Sequence, residues 1–378
     1  MLCGQNAGNH YPLIESLAAP KARLSWLEPR FTRLKSWKRE ARAKYLELLR
    51  YAPAKLDSPR VEVIEKQDRG EYTLERILFS TTPALRVPAF VLAPKNPEGK
   101  RLPAIVALHD HGGFYMWGKE KLVRLDGEHP ALTKFKASLY AGRSIAEDLA
   151  RAGYVVAVID MHYWGDRRML LSDDAEDWRE RPATMTEERV NAFDRRSNLN
   201  EQLMARSIYT AGATWAGIMA WDDIRTVDYL LTRSDVDPKR IGCAGLSLGA
   251  VRSIYLAAAD PRIKVAVAVC WMTTFPSQLR DRIVNTVGFT KLIPGLYHEL
   301  DYPDIASLAM PSPLLVIGGG KDQLFDPAGV QAAFEKLRAC YRKAKIPERV
   351  QCSFYPDAPH EFNAEMQAEA WAFLRRWL

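Results

Sequence analysis

Residues 241–259 constrain this chain more than any other stretch. Ile241-Gly-Cys-Ala-Gly245 is short and apolar, the composition of a strand buried on both faces. It runs into Gly245-Leu246-Ser247-Leu248-Gly249, and Ala250 to Ala259 is Ala-rich and free of Pro, as a helix requires. A serine at the apex of a strand–turn–helix is the context in which its hydroxyl can serve as a nucleophile. The turn holds the serine backbone in a strained conformation while neighbouring chain passes close by, so Gly245 and Gly249 fit where side chains would clash. The N–H of Leu248, at the start of the helix, faces the space above Ser247, where an oxyanion could be stabilised. Alone, Gly-x-Ser-x-Gly is also what a simple packing turn looks like, so the rest of the chain has to supply a base, an acid and a second donor.

Around this stretch strands and helices alternate. Val61–Ile64, Tyr72–Phe79 and Val87–Ala93 read as strands separated by polar turns, including Asn96-Pro97-Glu98-Gly99, and suggest an antiparallel opening to a sheet. Leu102–Leu108, Tyr154–Ile159, Ile241–Leu246, Val265–Cys270, Pro313–Ile317 and Arg349–Phe354 are Val/Ile/Leu-rich strands. Helices are expected over Ser138–Ala152, Trp215–Thr232, Ala250–Ala259, Pro327–Lys343 and Phe362–Leu378. The pattern predicts an α/β fold with a doubly wound, mostly parallel sheet over residues 61–378. Two connections, 164–214 and 272–309, are too long for plain links and are expected as cap-like insertions shaping the pocket, or as inert elaborations or oligomer contacts.

Residues 1–60 read as an N-terminal helical extension. Leu24, Leu27, Phe31, Leu34, Trp37, Ala41, Tyr45 and Leu49 recur every three or four residues, with Pro29 starting the main helix or ending a shorter one. The net charge of +7 is carried by residues 21–50, which hold ten Lys and Arg against three Glu. A basic segment on an otherwise neutral chain argues against a nucleic-acid surface. It leaves a packed extension, a dimerisation arm or an anionic-surface contact open.

The five cysteines are scattered and show no metal or disulfide spacing, and Cys243 and Cys270 read as small core residues. No apolar run approaches a membrane span, and Met1 to Pro20 lacks the pattern of a signal peptide, so a cytoplasmic location is expected.

A serine needs a base held by a carboxylate. Only His298 and His360 follow Ser247, and His360 is preferred because it sits in a loop between the last strand and last helix, whereas His298 falls inside an insertion. Gly318-Gly319-Gly320-Lys321-Asp322 follows a buried strand, which makes Asp322 the expected acid, ahead of Asp326 (a helix cap) and Asp357 (a turn). His111-Gly112-Gly113 follows another strand end and would let backbone N–H groups approach the oxyanion, with Gly113 the first choice of donor and Phe114 the second. His111, Asp160, Trp164 and Trp271 are expected to line the substrate pocket. The competing arrangement is a metal-dependent hydrolase using His109, His111, Asp160 and His162.

These features together resemble the α/β-hydrolases, over roughly residues 60–378, and among them the bacterial dienelactone-hydrolase-like and acetyl-xylan-esterase-like branch. His111-Gly112-Gly113, Val236-Asp237-Pro238-Lys239-Arg240-Ile241 leading into the Ser247 pentapeptide, Gly320-Lys321-Asp322, His360 and Asp301-Tyr302-Pro303-Asp304 carry the resemblance. Dienelactone hydrolases use Cys as nucleophile and this chain has Ser247, which argues against that substrate. The resemblance implies a serine esterase acting on a small-molecule ester, with short acyl groups favoured and no cofactor or metal. Amidase, thioesterase and peptidase chemistry on the same three residues remain alternatives. A homo-oligomer through the N-terminal helix or a cap stays open.

Overall fold

A computed structural model describes residues 10–18, 22–95, 98–279 and 283–378. Cys3, most of the Met1–Pro20 stretch read for a signal peptide, and Asn96 and Pro97 of the expected turn lie wholly or partly outside the described residues.

Among the described residues nine strands form one sheet in the order β1-β2-β3-β5-β4-β6-β7-β8-β9. They are β1 (Glu62–Asp68), β2 (Tyr72–Ser80), β3 (Arg86–Pro94), β4 (Leu102–Leu108), β5 (Val155–Ile159), β6 (Val236–Leu246), β7 (Ile263–Val269), β8 (Leu314–Gly319) and β9 (Val350–Tyr355). The first three pair antiparallel, and β3 joins β5 antiparallel. From β5 through β9 every pairing is parallel.

Nine helices of seven residues or more are found among the described residues: α1 (Tyr11–Leu17), α2 (Leu34–Leu49), α3 (Pro130–Tyr140), α4 (Ile145–Arg151), α5 (Glu187–Thr210), α6 (Trp215–Thr232), α7 (Leu248–Ala259), α8 (Pro327–Lys343) and α9 (Ala364–Trp377).

Side chains alternate across the strands, so the sheet separates two apolar cores. Ala104, Val106 and Leu108 of β4 join α2, α6, α7 and α8 in one core. Ile105 and Ala107, with Val265 and Val267 of β7, meet α4 and α9 in the other. Ile105 is fully buried, and trimming a side chain of that kind to Ala costs about 2–5 kcal/mol.

Three expectations need correction. The single helix over Ser138–Ala152 is two helices, because Ala141 and Gly142 both take left-handed backbone (φ 54° and 73°) and end α3 before α4 begins. The strand expected at Val61–Ile64 is present but shifted to β1. It is an exposed edge with a register shift between Val63 and Glu65, and its Glu and Lys residues suit an edge that must not pair further. The main N-terminal helix starts at Leu34, five residues after Pro29.

The apolar stripe of α2 is spent within the chain, where Trp37, Ala41, Tyr45 and Leu49 are buried. Part of the basic face is also used internally. The Arg42 guanidinium donates to the carbonyls of Ala258 (2.6 Å), at the end of α7, and Leu308 (3.2 Å). Cations at helix ends satisfy carbonyls that the helix leaves open.

Candidate active site

Ser247 stands at the end of β6 with φ 58° and ψ −120°, a conformation that a residue with a Cβ adopts only when its surroundings hold it. Its N–H donates to the Val269 carbonyl of β7 (2.8 Å), and its own carbonyl accepts from Ala250 (2.9 Å) and Val251 (3.1 Å). Both pentapeptide glycines are needed for packing. A Cβ on Gly245 would meet the Gly249 backbone and the Leu108 carbonyl, and one on Gly249 would overlap that same carbonyl. The turn is therefore pressed against the end of β4, where the His109–Phe114 loop begins.

The acid and base come from β8 and β9. Gly319 and Gly320 let the loop after β9 lie directly on the loop after β8, since a Cβ on either would collide with the carbonyls of Ala358 or Pro356. The Gly320 N–H donates to the Tyr355 carbonyl (2.8 Å) and the Lys321 N–H to that of Ala358 (3.0 Å). Asp322 Oδ2 then lies 2.6 Å from His360 Nδ1, while Oδ1 accepts from the Leu324 N–H (3.0 Å). The Asp322 side chain is almost fully buried and that of His360 is 21% exposed, so the carboxylate is enclosed and the imidazole has an open side. The other candidates lie elsewhere. His298 Nε2 pairs with the Leu17 carbonyl (2.7 Å), Asp326 caps α8 through the Gly329 N–H (3.1 Å), and Asp357 pairs with Lys321.

The loop after β4 is held by side chains that sequence reading passed over. One face of α5 carries Asp194, Asn198 and Glu201. Asp194 Oδ1 accepts the N–H groups of Tyr115 (2.7 Å) and Met116 (3.1 Å), and burial pushes its carboxyl up to about 6. Glu201 Oε1 meets His111 Nε2 (2.8 Å) and the Tyr115 hydroxyl (3.0 Å), which also reaches Asn198 (3.0 Å). Buried Lys121 donates to the carbonyls of Asp110 (3.1 Å) and His111 (3.0 Å). In sequence this part of the 164–214 insertion is a charged stretch like any solvated helix face, and no spacing distinguishes its three inward residues.

This network changes the expected set of oxyanion donors. The Gly113 N–H donates to His111 Nδ1 (3.0 Å), and the Phe114 N–H to the His111 carbonyl (3.3 Å). Both are engaged. The N–H groups of His111 and Gly112 have no acceptor among the described residues. The Leu248 N–H, at the first position of α7, has no helical carbonyl a turn before it.

Comparison with known proteins identifies the family and the fold. The Abhydrolase family matches residues 20–370. The chain belongs to the Abhydrolase family. The Bacillus subtilis (strain 168) protein YtaP, named as a hydrolase, is 28% identical over 320 residues, spanning 84% of this chain and 92% of YtaP. The fold is that of a Bacteroides fragilis NCTC 9343 structure described as an acetyl xylan esterase (TM-score 0.70, 21% identity, covering 94% of this chain and 84% of that one). It is also that of a glucuronoyl esterase from Solibacter usitatus (TM-score 0.63, 16% identity, 95% and 98% covered).

In this Abhydrolase chain the remaining candidates are structural. Asp160 is buried and accepts from the Lys119 ammonium (2.7 Å) and from the N–H groups of Lys119 (2.7 Å) and Asp166 (2.9 Å). The same ammonium meets Glu120 (2.9 Å) and Asp166 (2.7 Å). Burial pushes Asp160 up and the ammonium opposes it. We take the pair as ionised, because three donors converge on that carboxylate. Trp164 stacks on Tyr115 (4.9 Å) and meets the His111 ring edge-on (4.9 Å), while Trp271 is enclosed by Tyr255 and Tyr302. Asp160, Trp164 and Trp271 therefore back the site instead of lining it, and His111 alone of the four expected pocket residues keeps an open face.

The alternative metal set is not assembled. Both ring nitrogens of buried His109 are engaged, one with the Asp110 carbonyl (2.8 Å) and one with the Met161 N–H (3.1 Å). His162 Nε2 is buried beside Trp215 without a partner, and burial lowers its pKa to about 4. Among the described residues, no three metal-capable side chains that include His109, His111 or His162 bring donor atoms within 4.8 Å of one another. The described helices include none long and apolar enough to cross a membrane.

Proposed function

We propose that this protein is a serine hydrolase of carboxylic esters, with Ser247 as nucleophile, His360 as base and Asp322 as the supporting acid. The observation that carries the reading is the 2.6 Å contact between His360 Nδ1 and Asp322, on loops at the same carboxyl end of the parallel strands as the strained Ser247 turn. With Nδ1–H donated to Asp322, the other ring nitrogen, Nε2, is the one left to take the Ser247 proton. The tautomer follows from the hydrogen-bond pattern.

Ser247 Oγ attacks the ester carbonyl as His360 takes its proton. The oxyanion is held by the N–H of Leu248 and by one from the His111–Phe114 loop. The N–H groups of His111 and Gly112, without acceptors among the described residues, fit that second role better than those of Gly113 or Phe114, both of which are engaged. The alcohol leaves with the proton from His360. A water activated by the same imidazole then cleaves the acyl-enzyme, and Asp322 supports the imidazolium throughout.

The esterase names of the structural relatives support an ester over an amide or thioester. The acetyl-type acyl group draws its support from the acetyl xylan esterases among them alone, since glucuronoyl esterases stand beside them. Residues 61–378 make up the catalytic unit, and residues 22–60 of the N-terminal extension pack on it. The test is hydrolysis of p-nitrophenyl acetate, butyrate and octanoate by wild type and Ser247→Ala, with and without EDTA. Turnover that survives EDTA and is abolished by Ser247→Ala supports the reading. Activity retained by Ser247→Ala would remove it.

A further inference from the structure

Cys270 is a buried thiol that the proposed mechanism does not use. It follows β7 in left-handed backbone (φ 54°), with its N–H on the Ile317 carbonyl of β8 (2.8 Å). That backbone turns the side chain towards the acid–base pair. Sγ donates to the carbonyl of Glu361 (3.4 Å), the residue after His360. One donor atom each from Cys270, Asp322 and His360 lies within 4.8 Å of the other two. In the free protein, burial and then the Asp322 charge push the thiol pKa up, so it stays protonated and is no rival nucleophile.

We propose that Cys270, Asp322 and His360 form an inhibitory site for a thiophilic divalent cation, Zn2+ being the representative case. A thiolate, an imidazole nitrogen and a carboxylate are ligand types that zinc accepts in threes, with a fourth position open to water. Tetrahedral zinc, with ligand bonds of about 2.0–2.3 Å, places its donors roughly 3.5 Å apart. To reach that spacing Cys270 Sγ closes on the pair by about an ångström, while His360 Nδ1 and Asp322 Oδ2, now 2.6 Å apart, open by a similar amount. One thiolate and one carboxylate balance the two positive charges, which suits an enclosed site. Mg2+, a hard cation that prefers oxygen ligands and keeps its waters, does not suit this donor set.

Binding has a definite chemical consequence. The Cys270 S–H bond breaks, a Zn–S bond forms, and that proton leaves to solvent. His360 Nδ1 gives up its proton to Nε2 and donates its lone pair to the metal. The metal takes the place of the His360–Asp322 hydrogen bond. Nε2, now protonated, has no lone pair for the Ser247 proton, and hydrolysis stops with Ser247 chemically unaltered. This inhibition step rests on the catalytic roles proposed above.

The experiment has two arms on the full chain. In the first, p-nitrophenyl acetate hydrolysis is titrated with ZnCl2 or MgCl2 for wild type, Cys270→Ala and Cys270→Gly, the last chosen because glycine accepts the left-handed backbone. The expected result is inhibition of wild type by Zn2+ and not by Mg2+, reversal by EDTA, and a half-inhibitory Zn2+ concentration at least tenfold higher in both variants. Equal inhibition of wild type and both variants, or no inhibition of wild type, overturns the site. In the second arm Co2+ is added to wild type, Ser247→Ala and Cys270→Gly, and thiolate-to-cobalt charge-transfer absorption is read. The band is expected in the first two and absent in the third. Its absence from wild type overturns the site. Because the band needs no activity, this arm separates failure of the cation site from failure of the serine mechanism, which Ser247→Ala hydrolysis tests.

Discussion

Two histidine-bearing strand ends look alike in sequence and differ in the fold. After β4 and β5 come His109, His111, Asp160 and His162. After β8 and β9 come Asp322 and His360. In the first group both nitrogens of His109 are occupied and Asp160 is closed into a buried ion cluster with Lys119. In the second, one face of His360 meets a carboxylate and its side chain is 21% exposed. Residue type is the same in both. The difference is whether a lone pair is left facing open space. Glycines act differently too. Gly118 and Gly165 admit Asp160, because a Cβ on either would overlap its carboxylate, whereas Gly319 and Gly320 admit a backbone loop that carries His360.

The largest test of this contrast is on the open side. Ser247→Ala and His360→Ala are each expected to lower kcat for p-nitrophenyl acetate by roughly 10⁴-fold or more with little change in the thermal melt. If His360→Ala retains substantial activity, the assignment of the two clusters is reversed. On the closed side, Asp160→Asn leaves Lys119 short of its best partner. Breaking such a buried pair costs about 3–5 kcal/mol, to be read as a lower urea midpoint with kcat per folded molecule preserved. A kcat loss without a stability loss would place Asp160 in the chemistry.

His162 sharpens the comparison through pH. Its folded pKa of about 4 lies below its ordinary value, so the folded protein holds it neutral. Its contribution to stability is therefore full above about pH 6.5 and is lost as pH falls from there towards 4, at most about 3 kcal/mol. Asp194, raised by burial to about 6, works in the opposite direction over part of that range. The contribution of His162 is therefore read as the stability of wild type minus that of His162→Phe in urea unfolding from pH 7 to 4. That difference should shrink on acidification, and a constant difference would refute the buried neutral imidazole.

The smallest effect is expected between these regions. Glu201→Gln replaces a charge-assisted bond to His111 with a neutral one, and should lower kcat roughly tenfold at unchanged KM. A KM effect alone would make Glu201 a pocket residue and not a support for the loop.

The sequence by itself determined the sheet, the turn and the three residues proposed for catalysis. Buried strands have to be apolar runs, and β4 to β9 stand where such runs occur. The Ser247 turn needs glycines at two fixed positions, and the catalytic order leaves only two histidines downstream. These signals are local, so one chain suffices to read them. The helix break at Ala141-Gly142 was also local, but the apolar pattern continues across it and hid the reversal. What the tertiary structure alone decided is long-range. Glu201 reaches His111 from 90 residues away, Lys119 neutralises Asp160 from 41 residues away, and Cys270 meets the acid–base pair from a third strand end. A charged residue in a sequence carries no mark of the partner it will find. Only the packing of α5 and the strand ends against one another settles whether a carboxylate, an imidazole or a thiol is enclosed, paired or left open.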